Sequence, residues 1–239
     1  MTNEIILNGQ KINYEFLRKD VKNINIRIKA DQTIHVSANY SVPQKVIDEL
    51  LESKADYILG ALKKYKEKAE YAPKPKEYID GETFLYLGHE LRLLVKQGGK
   101  NHVSVKGNFL VLTVKDSSNF FLKKRCIDNW YKSACKDAIE ATCENVYPKF
   151  KKYGVTYPQL KFRNMVSRWG SCQPKRGSLT FNISLVEAPM SCIEYVVTHE
   201  FTHFLHPNHS KNFYQTLSMF MPDWKDRKNI LERNSTYLY

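Results

Sequence analysis

Disulfide chemistry has little to work with in this chain. Its five cysteines, Cys126, Cys135, Cys143, Cys172 and Cys192, are an odd number and include no Cys-x-x-Cys pair. Neither a disulfide framework nor a cysteine metal site is suggested, and the thiols read as reduced and mostly buried. No uninterrupted apolar run approaches the roughly 18 residues of a membrane-spanning helix. The Met1-Thr2-Asn3-Glu4 start lacks a basic stretch followed by an apolar core. The expectation is a soluble, cytoplasmic protein with no membrane partner. Phosphate-binding glycine loops are missing as well, and so are zinc-finger spacing, aromatic-basic stacking motifs and helix-turn-helix spacing.

What is present suffices for a packed core. The 239 residues are 42% hydrophobic and 13% aromatic, enough for one large or two small domains. The formal charge of +12 invites a nucleic-acid reading. However, runs such as Lys63-Lys64-Tyr65-Lys66-Glu67-Lys68 and Lys123-Lys124-Arg125 have the form of solvated helix faces. At most, weak non-specific attraction to polyanions at low salt is expected. The oligomeric state is not written in the sequence.

The chain begins with alternating apolar residues on either side of Asn8-Gly9, a pair suited to a tight hairpin turn. Ile24, Ile26 and Ile28, then Ile34, Val36 and Ala38, continue a four-stranded, mostly antiparallel region. Pro43 opens one long helix through Val46, Ile47, Leu50, Leu51, Ile58, Leu59 and Leu62. Tyr71-Ala72-Pro73-Lys74-Pro75-Lys76 reads as a linker. Short apolar runs separated by glycine-containing turns then suggest a β-meander. From Ser118 to about Tyr153 the spacing is helical, with Pro148 expected to break or kink its end. Two strands follow, one through Leu160 and Phe162 and one through Leu179, Phe181 and Ile183. The predicted organisation is residues 1–72, a strand and helix region; 73–116, the meander; and 117–239, an α+β domain built around the next stretch.

That stretch is Thr198 to Ser210, which spells HExxH followed by further histidines. On a helix, His199 and His203 are four residues apart and share one face, so both imidazoles can reach one ion. Glu200 is offset by about 100°, where its carboxylate can meet a metal-bound water without becoming a ligand. Ser191 with Glu194 has the form of a capping box. Ile193, Val196, Val197, Phe204 and Leu205 supply an apolar stripe, and Pro207 ends the helix. A third ligand must come from beyond that stop. His209 lies at the offset found in the metzincin pattern, although His206 occupies that pattern's glycine position, so metzincin membership does not follow. His209 is the favoured third ligand and His206 the alternative. A catalytic zinc site takes three protein ligands plus water, which suits a single zinc ion here. His35, His89 and His102 are isolated and read as surface or hydrogen-bonded residues.

Arg168-Trp169-Gly170-Ser171-Cys172, Gly177, Asn182, Leu185, Pro189, Tyr195-Val196-Val197, His199-Glu200, His203 and Asn208-His209-Ser210 together resemble the signature of the YgjP-like metallopeptidases, relatives of the SprT-like zinc proteases. The similarity is dense from about Met165 to Phe213 and looser before. Phe201 stands where family members usually carry leucine. The resemblance implies a zincin-like metallopeptidase domain with His199, His203 and His209 as zinc ligands and Glu200 as the catalytic residue. Peptides or proteins would be its substrates.

Arg168, before a tight Trp-Gly turn, is a candidate for stabilising a developing oxyanion. The segment Ser178 to Ile183, with Phe181 and Asn182, is a candidate edge strand for aligning an extended peptide. Two rival readings are a DNA-associated protease module of SprT-like type and a metal-binding interaction protein that cleaves nothing.

Overall fold

The computed structural model describes residues 2–29, 31–70, 75–165 and 167–233. The chain divides into two compact units, Met1–Pro73 and Lys74–Tyr239. Of the proposed linker, residues 71–74 lie outside the described residues.

The first unit contains β1 (Thr2–Leu7), β2 (Gln10–Arg18), β3 (Asn25–Ile28), β4 (Ile34–Ala38), α1 (Gln44–Ser53) and α2 (Ala55–Glu70). Asn8 and Gly9, at φ 47° and 80°, form the turn between β1 and β2, and Leu7 faces Gln10 across it. The strands alternate because one face meets the helices. Leu7, Tyr14, Ile34, Val36 and Ala38 pack on Ile47, Leu51 and Ile58. The single long helix expected after Pro43 is two helices. At the break, the Ser53 hydroxyl donates to the Leu50 carbonyl, 2.8 Å away, a side-chain bond that competes with continued helix. The sheet order is β1-β2-β4-β3, with β2 and β4 parallel.

The second unit opens with β5 (Thr83–Tyr86), β6 (His89–Gln97), β7 (His102–Lys106) and β8 (Phe109–Val114). This is not the expected meander. The order is β5-β6-β8-β7, and β8 runs parallel to β6. The local turns were legible, but apolar alternation does not say which strand a hairpin joins. The first sheet has the same order, and its Asn8-Gly9 turn is matched here by Leu87 and Gly88 at φ 50° and 82°. Gly88 is also required sterically, because a Cβ there would lie 2.8 Å from the Pro189 ring. The Leu87 and Gly88 amides donate to the Val186 and Glu187 carbonyls, tying this sheet to the segment before the HExxH helix.

Helix α3 (Phe120–Lys151) spans about 48 Å at 1.5 Å per residue. It starts at Asn119, whose side chain accepts from the Leu122 amide. Ile127 packs into the core of the second sheet. Further along, Cys135, Ile139, Cys143, Val146 and Phe150 enter the core that carries the site. Pro148 lies inside the helix and does not end it. It sits in the last turn, where both Pro148 and Glu144, whose carbonyl loses a donor, are exposed to solvent.

The remaining elements are β9 (Gln159–Arg163), β10 (Gly170–Gln173), β11 (Ser178–Asn182), α4 (Met190–Thr202), α5 (Lys211–Phe220) and α6 (Trp224–Arg233). Their three strands are ordered β10-β11-β9, with β9 parallel and β10 antiparallel to β11. Leu179 and Phe181 from the central strand join Ile193, Val197 and Phe201 of α4 in one buried cluster. Among the described residues no helix is long and apolar enough to cross a membrane.

Candidate metal centre

Helix α4 is buried on most sides, through Cys192, Ile193, Tyr195 to Thr198 and Glu200 to Thr202, so packing rather than intrinsic propensity holds it. The expected capping box is not made. Pro189 is the N-cap residue without a side-chain cap bond, and its carbonyl accepts from the Cys192 and Ile193 amides. Ser191 therefore lies inside the helix, and the Glu194 carboxylate pairs with Arg227 of α6. Proline at this place fixes the extended entry angle without any hydroxyl.

The helix ends at Thr202, earlier than Pro207 would require, but His203 as C-cap keeps helical angles of φ −65° and ψ −18°. The four-residue relation between His199 and His203 is thereby preserved, with ring centroids 5.0 Å apart. The chain then turns, and His209 comes back to lie 4.9 Å from His199 and 4.8 Å from His203 between centroids. One nitrogen from each of the three rings lies within 4.8 Å of the others. His199 Nε2 and His209 Nε2 are 3.0 Å apart. Two nitrogens bound to one tetrahedral ion at about 2.05 Å would be about 3.3 Å apart, so the group fits such an ion with small adjustment.

Phe213 of α5, fully buried, forms the floor of this group. Its ring lies 4.9, 4.7 and 4.8 Å from those of His199, His203 and His209. Ser210 caps α5 by accepting from the Phe213 amide, fixing that ring just beyond His209. His209 itself is exposed and stacks on Tyr214, which stacks in turn on Trp224 of α6.

Burial sets the protonation state of His199 and His203. His199 is pushed down to about 3, chiefly by desolvation and then by His203 and His209. His203 is lowered as well, mainly by burial, against the opposing hydrogen bond from its ring to the His206 carbonyl. Neutral imidazole is the form that binds a metal. His199 Nδ1 is buried without a hydrogen-bond partner among the described residues. Glu200, 5% exposed, is pushed up to about 8 by burial, with the Arg168 guanidinium pulling the other way.

Glu200 is held against the backbone of β10. A Cβ on Gly170 would come within 2.6 Å of its Oε1 and 2.7 Å of its Cγ, so only glycine admits the carboxylate in this position. The histidines and Glu200 open into a cleft of about 420 Å³. Its other wall is Arg168, Trp169, Gly170, Ser171, Cys172 and Pro174, and Tyr195, Val196 and Pro207 complete it.

Of the residues singled out from sequence, His199, His203, His209, Glu200 and Arg168 therefore face one space. Phe181 and Asn182 do not. Both are fully buried, because β11 is the central strand and β10 holds the edge toward the cleft. The Ser178 to Ile183 edge-strand reading is corrected accordingly. Alternating apolar residues mark a buried strand but not its place in the order. Asn182 instead ties down the loop that carries Arg168. Its amide nitrogen donates to the Met165 and Arg168 carbonyls, and its oxygen accepts from the Met165 and Ser184 amides. His206 turns its ring away from the cluster to Thr216, at 3.0 Å. Tyr195 and Gly170 stand within the family signature, but the sequence assigned neither a role at the site. Tyr195 precedes His199 by four residues, a spacing that places both on one helix face. Gly170 read only as part of a tight Trp-Gly turn, and its contact with Glu200 comes from the structure.

No curated protein matches the chain. Among solved structures, the crystal structure of the metallopeptidase zymogen of Pyrococcus abyssi abylysin is similar at 20% identity and a TM-score of 0.35. The match covers 42% of this chain and 94% of that one. A family model described as YgjP-like, metallopeptidase domain, matches residues 22–234, and the chain belongs to that family.

Proposed function

We propose that this metallopeptidase holds one zinc ion on His199, His203 and His209 and hydrolyses peptide bonds with Glu200 as general base. The observation that carries the reading is the convergence of three mutually close imidazole nitrogens and one buried carboxylate on a single cleft. Zinc bound there would supply a water of lowered pKa and polarise the substrate carbonyl. Glu200 takes the proton of the attacking water and returns it to the leaving amine. Arg168, which lines the same cleft and whose charge acts on Glu200, would stabilise the developing oxyanion. The open edge of β10, Gly170–Gln173, aligns an extended peptide or protein substrate by main-chain pairing. All five cysteines are free, which suits a reducing cytoplasm.

Glu200→Gln and His209→Ala, each compared with wild type for zinc content and for cleavage of a mixed peptide library, test this reading. Glu200→Gln should keep zinc and lose ~10²- to 10⁴-fold in rate, while His209→Ala should lose both. Equal cleavage by wild type and Glu200→Gln refutes the assigned base. Zinc binding without any cleavage by wild type favours a metal-binding interaction protein.

A further inference from the structure

We infer that His206 is a positioning residue for the metal ligand His203, acting through its own backbone carbonyl and anchored by Thr216. This rests on the proposed metal site. His203 Nδ1 lies 3.2 Å from the His206 carbonyl oxygen. A carbonyl only accepts, so that bond requires the proton on Nδ1 and leaves the Nε2 lone pair free for a metal. The same bond fixes the plane of the ring. Its quality depends on where the His206 carbonyl points, in a segment just past the end of α4 and directly before Pro207.

Two contacts hold that residue. The His206 amide donates to the Thr202 carbonyl at 3.0 Å, extending the helix by one turn. The His206 ring reaches across to α5, where its Nε2 meets the Thr216 hydroxyl at 3.0 Å. Without the second contact, the described hydrogen bonds of residue 206 itself, other than the one to His203, reduce to the one at its amide. Although Pro207 fixes its own φ, a change in the ψ of residue 206 re-aims the carbonyl. The Pro207 carbonyl, which also bears on His203, would then compete as acceptor for Nδ1. Helix α5 supplies both Phe213, the floor under the three rings, and Thr216, the anchor. One helix thus sets the height of the ligands and the rotation of one of them.

Competition of zinc between the protein and a chromophoric chelator tests this, with the metal alone as probe. His206→Ala and Thr216→Val should each weaken zinc about tenfold, and the double variant should lose no more than the weaker-binding single one. Thr216→Ser keeps the hydroxyl and should bind as wild type, which a merely structural role for Thr216 would not predict. His209→Ala is the control on the site itself. If it binds zinc like wild type, the ligand assignment fails, and with it the proposed function. If His209→Ala loses zinc while His206→Ala and Thr216→Val bind as wild type, the positioning role alone is overturned. Fully additive losses in the double variant overturn it too, because residues acting through one contact cannot add. The thermal midpoints of the metal-free variants separate these effects from misfolding. A Thr216→Ser variant as stable as wild type but as weak as Thr216→Val would equally refute the anchor.

Discussion

Replacing Gly170 by alanine isolates the placement of Glu200 from its chemistry. The added Cβ would stand 2.6 Å from Oε1, 2.7 Å from Cγ and 2.9 Å from Cδ of Glu200. Ordinary contacts of this kind relax at about 3.5 Å, so the carboxylate must move by about 1 Å. The backbone at Gly170, unlike that at Gly177, is outside the left-handed region, so alanine is conformationally permitted and the clash is the whole perturbation. All three crowded atoms belong to one side chain, which can rotate. Global stability should therefore fall by only about 1 kcal/mol, the low end for overpacking. The cost instead falls on function, because a displacement of about 1 Å in a reacting group is worth about 10²-fold in rate. The assay is kcat/KM on a peptide identified from the library, with zinc content and urea unfolding measured in parallel. Gly99→Ala, where a Cβ meets nothing within 4 Å, serves as control and should be silent. Gly170→Ala with wild-type activity would refute the argument that this glycine sets the position of the base. Loss of zinc from Gly170→Ala would refute the assignment of Glu200 as a non-ligand.

Three further outcomes are expected. Phe213→Leu should cost about 1 kcal/mol of stability and weaken zinc about tenfold, because the flat floor beneath three rings is replaced by a narrower side chain; unchanged zinc affinity in a chelator titration would refute that role. Glu187 is pushed up to about 7 by burial, Lys76 opposing, so the folded state holds its proton where the unfolded chain, titrating near 4.5, has released it. Stability is then lost as pH rises from about 4.5 to 7, and Glu187→Gln should exceed wild type by up to about 3 kcal/mol at pH 8 yet match it near pH 4; parallel pH profiles in urea would contradict this. Affinity for duplex DNA should fall by about 10²-fold between 50 and 200 mM salt if about four phosphates are contacted, and binding that persists, or cleavage that DNA stimulates, would favour a DNA-associated protease.

Local periodicity was enough to group the residues that converge on the cleft. His199, Glu200 and His203 are related by the pitch of one helix, and Asn8-Gly9 names its own turn because few residues accept its positive φ angles. These are properties of neighbours along the chain, which is why they survive without tertiary information. Other features depend on segments far apart in sequence. β10 rather than β11 borders the cleft only because β9 pairs with β11 in parallel and takes its other side. The second sheet is not a meander because β8 inserts between β6 and β7 and pairs with both. Glu194 serves Arg227, 33 residues on, instead of a helix cap. Gly170 is needed for a carboxylate 30 residues later, and Phe213 for three rings at once. Sequence determined the donor atoms and their helical spacing; the tertiary structure decided which backbone and which ring hold them, since steric fit and strand order exist only between segments that folding brings together.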